Sequence, residues 1–311
     1  MDLEGIACGL NDEDTGVVIR RILALEETYT CSELVEIYNY LLSVSHDPDV
    51  LSNIIRCADK IRDKSMLSAL LDILLLKNIE NVDSIEKEKF INVRSLCAKA
   101  IANLKDTRAV TPLLYCLNNK NEHYKVRLAC ADALGRIGDR YAVTPLIELV
   151  QDEGEKSVYL RESAASALGM LGDLRAVEPL VGILEGQKGI WNKFTFLRER
   201  VIEALGKLRL DGNERVFNVL KNSLLDESPQ IRINAIEALM ESEHPLAIET
   251  IKTCLSDAND EVKKNALIAV YNLTGRDILD EVIANPDYPD FLKMEAVSMI
   301  AEYEEEPAAN E

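Results

Sequence analysis

The sequence predicts an all-α protein, a right-handed α-α superhelix of about eight to nine helix pairs. Three observations predict it. The stretch KVRLACADALGRIGDRYAVTPLIELV, beginning at Lys125, reads as a helix, a tight corner and a second helix, and it is written again from Val93 and from Tyr159. An aliphatic residue followed by a base recurs at intervals of 30 to 38 residues, from Ile19-Arg20 to Leu292-Lys293. Hydrophobic residues make up 47% of the 311-residue chain but aromatics only 5%, so small and aliphatic side chains dominate. A period of that length signals a solenoid, because each helix pair leaves an apolar face that only its neighbour can cover.

Each element has a local reason. Val126, Leu128, Ala129, Ala133, Leu134 and Ile137 fall at near-helical spacing. Gly138 ends that helix, Asp139 caps the next one, and Pro145 stands early in that second helix, where a missing N–H costs least. Here the helix with the aliphatic-Arg pair is helix B, and the proline-bearing one is helix A. The pairs Ala133-Leu134, Ala167-Leu168, Ala204-Leu205 and Ala238-Leu239 recur in the B helices, alanine allowing close approach and leucine filling the space between layers. Residues 1–303 are expected to form one stack. Residues 1–50 and 277–303 are irregular capping units, the latter with Pro286 and Pro289, and 304–311 an acidic, disordered tail.

The order aliphatic-Arg, then A-x-A-L-G-x-[IL]-G-D, then R-A-V-x-P-L-x-x-[IL]-L resembles the HEAT repeat, in the form found in the phycobilisome bilin lyase family. Arg175, Ala176, Val177, Pro179 and Leu180 match its last part closely. HEAT units also carry an Asp six residues before the Arg. Asp14, Asp226 and Asp257 stand so before Arg20, Arg232 and Lys263, while Asn121 replaces it before Arg127 and other units depart. The resemblance is strongest over 93–275. It implies a solenoid fold, and it admits handling of open-chain tetrapyrroles, a transient phycobilin, on a phycobiliprotein subunit by a lyase or isomerase. No short catalytic motif carries over.

The repeats differ in their A-to-B connections, which are long at 77–92, 118–125, 151–158 and 185–196 and shrink at 226–230 and 256–260. Insertions of this kind gather on one edge of a stack. The 185–196 connection holds Trp191, the single tryptophan, with Phe194, Phe196, Lys188 and Lys193. Rigid aromatics on a loop suit partner binding; alternatively Phe196 opens the next helix and Trp191 folds over an exposed repeat face. Tyr124 and Tyr159 join this surface or are half-buried with a wet hydroxyl. Cys97, Cys116 and Cys130 come near one another in adjacent repeats, but no C-x-x-C pair supports a metal, and Ala164 fills the same place in the next unit. Arg94, Arg127, Arg161, Arg198 and Arg232 form a ladder expected to stitch repeats together through carboxylates.

A net charge of −19 argues against nucleic-acid backbones and anionic membranes. An acidic N-terminus without a basic start, an odd count of seven cysteines and no membrane-length apolar run point to the cytoplasm. The sequence shows no triad, metal motif or phosphate-cradling loop. The expectation is therefore a non-enzymatic, chaperone-like or adaptor scaffold without a cofactor. It would grip another protein through its concave helix face and the extended loop edge.

Overall fold

Helices account for every regular element in the computed structural model, which describes residues 2–10, 14–76, 84–186, 195–208 and 213–305. The chain divides into two units, Met1–Leu171 and Gly172–Glu311. The first contains α1 (Leu3–Leu10), α2 (Thr15–Thr28), α3 (Cys31–Val44), α4 (Pro48–Ile61), α5 (Leu67–Leu74), α6 (Ser84–Leu104), α7 (Val110–Asn118), α8 (Tyr124–Ile137), α9 (Val143–Gln151) and α10 (Val158–Leu171). The second contains α11 (Val177–Glu185), α12 (Thr195–Lys207), α13 (Glu214–Ser223), α14 (Pro229–Glu241), α15 (Ala247–Lys252), α16 (Asp260–Thr274), α17 (Asp277–Ala284) and α18 (Asp290–Glu305). Among the described residues these make nine antiparallel pairs, so the fold is an all-α solenoid.

In the first unit the B helices α4, α6, α8 and α10 stack side by side, with the A helices α3, α5, α7 and α9 as a second layer; α12, α14 and α16 form the B layer of the second unit. The leucines and alanines of the repeated motif lie between the layers. Leu134, Leu168, Leu205 and Leu239 are at most 1% exposed. Small residues let the B helices approach closely. A Cβ on Gly135 of α8 would stand 2.7 Å from the Ala167 Cα of α10, and one on Gly206 of α12 would stand 3.0 Å from the Ala238 Cα of α14.

The corners follow the expected chemistry. Gly138 is left-handed at φ 83°, and the Asp139 side chain accepts the Tyr141 N–H before a single 3-10 turn. Asp63, Asp106 and Asp173 make the same capping bond, to the N–H groups of Ser65, Arg108 and Arg175. Arg62 and Lys105 take the left-handed corner positions that glycine fills after α8, at some steric cost.

The arginine ladder ties one repeat to the next. Arg94 Nε donates to the Leu74 carbonyl at 2.7 Å, and its two terminal nitrogens grip both oxygens of Glu122. Arg127 donates to the Leu117 carbonyl at 2.8 Å and pairs with Glu155 at 2.9 Å. Arg161 donates to the Val150 carbonyl at 3.1 Å, and burial pushes its guanidinium down to about 10. In the second unit Arg198 meets Asp226, and Arg232 holds Asp257 through two bonds of 2.9 and 2.8 Å. Arg94, Arg127 and Arg161 thus satisfy a carbonyl left open at the end of an A helix. The paired carboxylates also brace the following B helix, as where Glu155 accepts the Ser157 N–H and Asp257 the Asn259 N–H.

Three expectations are corrected by this geometry. The carboxylate before Arg127 is Glu122, not a substituted Asn121, whose own N–H bonds Asn119. Arg20 and Arg56 share the aliphatic-base pattern but are exposed, whereas Arg94 is buried. Half of the 77–92 connection is helix, because α6 starts at Ser84 and buries Phe90.

Glycine substitutions should separate close packing from propensity. Gly135→Ala is expected to lose about 1–3 kcal/mol by overpacking. Gly182→Ala in α11, where a Cβ meets nothing within 4 Å, should gain about 0.5–1 kcal/mol; urea denaturation reads both. Glu155→Ala, which strands a guanidinium whose side chain is 7% exposed, should cost about 3–5 kcal/mol, and a joint Arg127→Met/Glu155→Leu change should recover much of it. Acid should weaken the stitches. Burial pushes the Glu122 carboxyl up, but the Arg94 bonds outweigh it and hold the group below its ordinary 4.5; Asp257 is likewise held below 3.8 by Arg232. A depressed carboxylate contributes stability above its unfolded pKa and loses it as pH falls through the folded value. Stability should therefore drop below about pH 4.5, with a shallower slope in Glu122→Gln.

Candidate functional site

Of the surface residues picked out by sequence, Lys188, Trp191, Lys193 and Phe194 lie outside the described residues. Tyr124 and Tyr159, near the starts of α8 and α10, are 45% and 64% exposed in the first unit. The Tyr124 ring lies 4.8 Å from that of His123, the cap residue of α8. In the second unit Phe196, in the first turn of α12, is 66% exposed. The starts of B helices therefore present rings to solvent, at the edge where the A-to-B connections lie.

Cys97 on α6, Cys116 on α7 and Cys130 on α8 are at most 2% exposed. The hydrogen bond from the Cys130 thiol lowers Cys116 and raises Cys130, and burial raises Cys97. No group of three His, Cys, Asp or Glu side chains among the described residues has the geometry to hold a metal ion. The ladder arginines are spent on carbonyls and carboxylates, which leaves the outward rows of the B helices as the free chemistry.

Those rows form a groove in the second unit. A cavity of about 570 Å³ crosses α12, α14 and α16, floored by Gly206, Ala238 and Ala269 with Met240 and Ile268. It runs into a smaller one of about 210 Å³ between α12 and α14, and both are lined by Glu203, Asn234 and Glu237. The close approach of α12 and α14 at Gly206 makes the floor shallow and apolar. Its rim is carboxylate and amide.

The charges on this rim are unequal in their partners. Glu203 is held by Arg200 at 2.5 Å and by Lys207 at 2.6 Å, and these two cations outweigh burial to keep it below its ordinary range. Glu199, Glu237 and Glu241 have neither a hydrogen bond nor an ion pair from their side chains among the described residues. Glu199 is only 8% exposed, and burial pushes its carboxyl up despite the nearby Arg200 charge. Gln230 donates to the Asn234 Oδ1 at 2.8 Å, and Asn265 Nδ2 to the Glu261 carbonyl at 2.8 Å. That leaves the Asn234 donor and the Asn265 acceptor open to a ligand.

The first unit carries a different groove, also of about 570 Å³, between α4 and α6. Arg56, Lys89 and Lys99 line it beside Ser52, Asn53 and Asn92, and Lys89 is paired with Asp49 at 2.9 Å. No aromatic side chain among the described residues lines it. Sequence reasoning found neither groove, since exposed polar residues on a B helix carry no periodic signal of their own. The one available clue was the run of asparagine and glutamate at the solvent positions of α14 and α16.

No helix among the described residues is long and apolar enough to cross a membrane. A search of the curated proteins finds no match. Among solved structures, a chain in the complex of Kap95p with RanGDP is 15% identical over 96% of this chain and 47% of its own, with a TM-score of 0.61. The CpcE–CpcF phycocyanin lyase complex of Nostoc sp. PCC7120 is 22% identical over 79% and 90%, at a TM-score of 0.47. Human deoxyhypusine hydroxylase is 17% identical over 86% and 94%, at 0.35. The family described as HEAT repeats matches residues 79–158, 120–190 and 196–271, more than half of the chain. With the stitched helix pairs described above, this places the chain in the HEAT-repeat family.

Proposed function

We propose that this protein is an adaptor or chaperone-like scaffold that grips another protein through the outward rows of its B helices. The observation that carries the reading is the second-unit groove. It sets an apolar floor beside three carboxylates without side-chain partners among the described residues and two amides that each keep an open group. Glu199 is only 8% exposed with its carboxylate oxygens still open to the groove, and an unpartnered carboxylate so placed gives folding no gain. The exposed rings of Tyr124 and Tyr159 in the first unit and of Phe196 in the second supply further anchors. With Trp191, Phe194, Lys188 and Lys193 they make up the loop-edge part of this proposal. A cytoplasmic setting suits the free thiols.

A second reading, transient handling of a phycobilin, has one feature in its favour. The Arg56, Lys89 and Lys99 groove of the first unit matches the charge of two propionates, though it offers no aromatic wall.

The test is reconstitution. A protein captured from native extract in stoichiometric amount should rebind the purified chain in calorimetry with one-to-one stoichiometry. Its affinity should fall about tenfold or more in Tyr159→Ala/Phe196→Ala or in Asn234→Ala/Asn265→Ala, since one lost anchor is worth upwards of ~1.4 kcal/mol. Undiminished affinity in both variants would remove the B-helix face as the grip. For the second reading, a visible difference spectrum on mixing with a free phycobilin is expected, and a flat one sinks it.

A further inference from the structure

We infer that the second-unit groove takes an extended cationic segment of a partner protein, with one lysine or arginine seated against Glu199 and a second against Glu237 or Glu241. The inference rests on the scaffold reading and names the partner's chemistry. Four carboxylates and two cations line the groove, and both cations are engaged by Glu203. The groove therefore carries an excess of two negative charges, and of the three carboxylates outside the Glu203 pairs Glu199 is only 8% exposed. An anionic ligand would leave Glu199 unpaired, and a neutral donor would give it a hydrogen bond without balancing its charge. A cation would give it the partner it lacks among the described residues.

The floor fits the same ligand. A lysine or arginine stem is a run of methylenes that prefers apolar contact while its head stays polar. Gly206, Ala238 and Ala269 give that stem room, and Met240 and Ile268 give it contact. Helices in contact lie about 8–10 Å apart, a distance that about three residues of extended chain span. Two cationic residues spaced by three would therefore meet α12 and α14 in succession. The Asn234 donor and the Asn265 acceptor are then placed for the backbone of the segment between and beyond them.

The probe is a short fluorescein-labelled peptide with lysines at every third position and serine and glycine between. Its control carries glutamate at the same positions. Polarisation with the full chain should show saturable binding of the lysine peptide, weakened by salt, and none of the control. Glu199→Gln should weaken the lysine peptide about tenfold or more, as should Glu237→Gln/Glu241→Gln, whereas Tyr159→Ala should not. Glu199→Gln should also melt no lower than the parent, because it removes an uncompensated charge rather than a contact. Equal binding of the two peptides, or undiminished binding by Glu199→Gln, would overturn the inference. A reconstituted partner released by the edge variants but held fully by the glutamate variants would overturn it too, while leaving the scaffold reading standing.

Discussion

A buried arginine on a B helix is the interaction on which the rest of this structure depends. Its guanidinium serves two neighbours at once. In Arg94 and Arg127 the Nε closes a carbonyl at the end of the preceding A helix, and the terminal nitrogens take a carboxylate ahead of the next B helix. Only arginine offers this fork with a charge that persists in a buried place. A lysine would satisfy one neighbour. Apolar burial supplies most of the cohesion of the stack, but it is non-directional. The stitches fix the register of one pair on the next, and so fix which residues of each B helix face outward.

Much of the fold was legible because the stitching and packing residues repeat. Ala133-Leu134 and its counterparts, Gly138 with Asp139, and the arginines from Arg94 to Arg232 all recur at solenoid spacing, and all take part in the geometry that recurrence implies. The errors came where repetition relaxes. Arg20 and Arg56 match the pattern of letters but are exposed, since nothing in the aliphatic-base pair itself tells a buried base from an exposed one. Glu122 was passed over because a carboxylate with one more methylene reaches the same guanidinium from a neighbouring position. The grooves were not legible at all. They depend on which polar residue fills each outward position, and on how near the helices lie, which the close approach of Gly206 to Ala238 decides.

The two grooves show how one scaffold acquires different chemistry along its length. Both are cut between B helices, yet one is lined by Arg56, Lys89 and Lys99 and the other by Glu199, Glu203, Glu237 and Glu241. A net charge of −19 describes neither. It bears on solubility and long-range steering, while recognition depends on which charges lack a partner. In the acidic groove Arg200 and Lys207 are drawn to the same carboxylate, Glu203, and their neighbours are left without one.

Glu199 shows why that arrangement is informative. Two of the stitch carboxylates, Glu122 and Asp257, sit below their ordinary pKa and stabilise the fold as pH rises. Glu199 is displaced the other way, by burial. The folded chain holds its proton more tightly than the unfolded one, so its contribution to stability is fully present below the unfolded pKa and is lost as pH rises through the folded value. At neutral pH the ionised group is a burden on the free protein. Replacement by glutamine at the same size would relieve it, so folding alone gives no reason for a carboxylate there. A cation arriving from outside reverses the sign, since a charge on a little-exposed side chain forms a stronger pair than one fully in water. The cost of burying Glu199 is met in folding, and its return comes on binding.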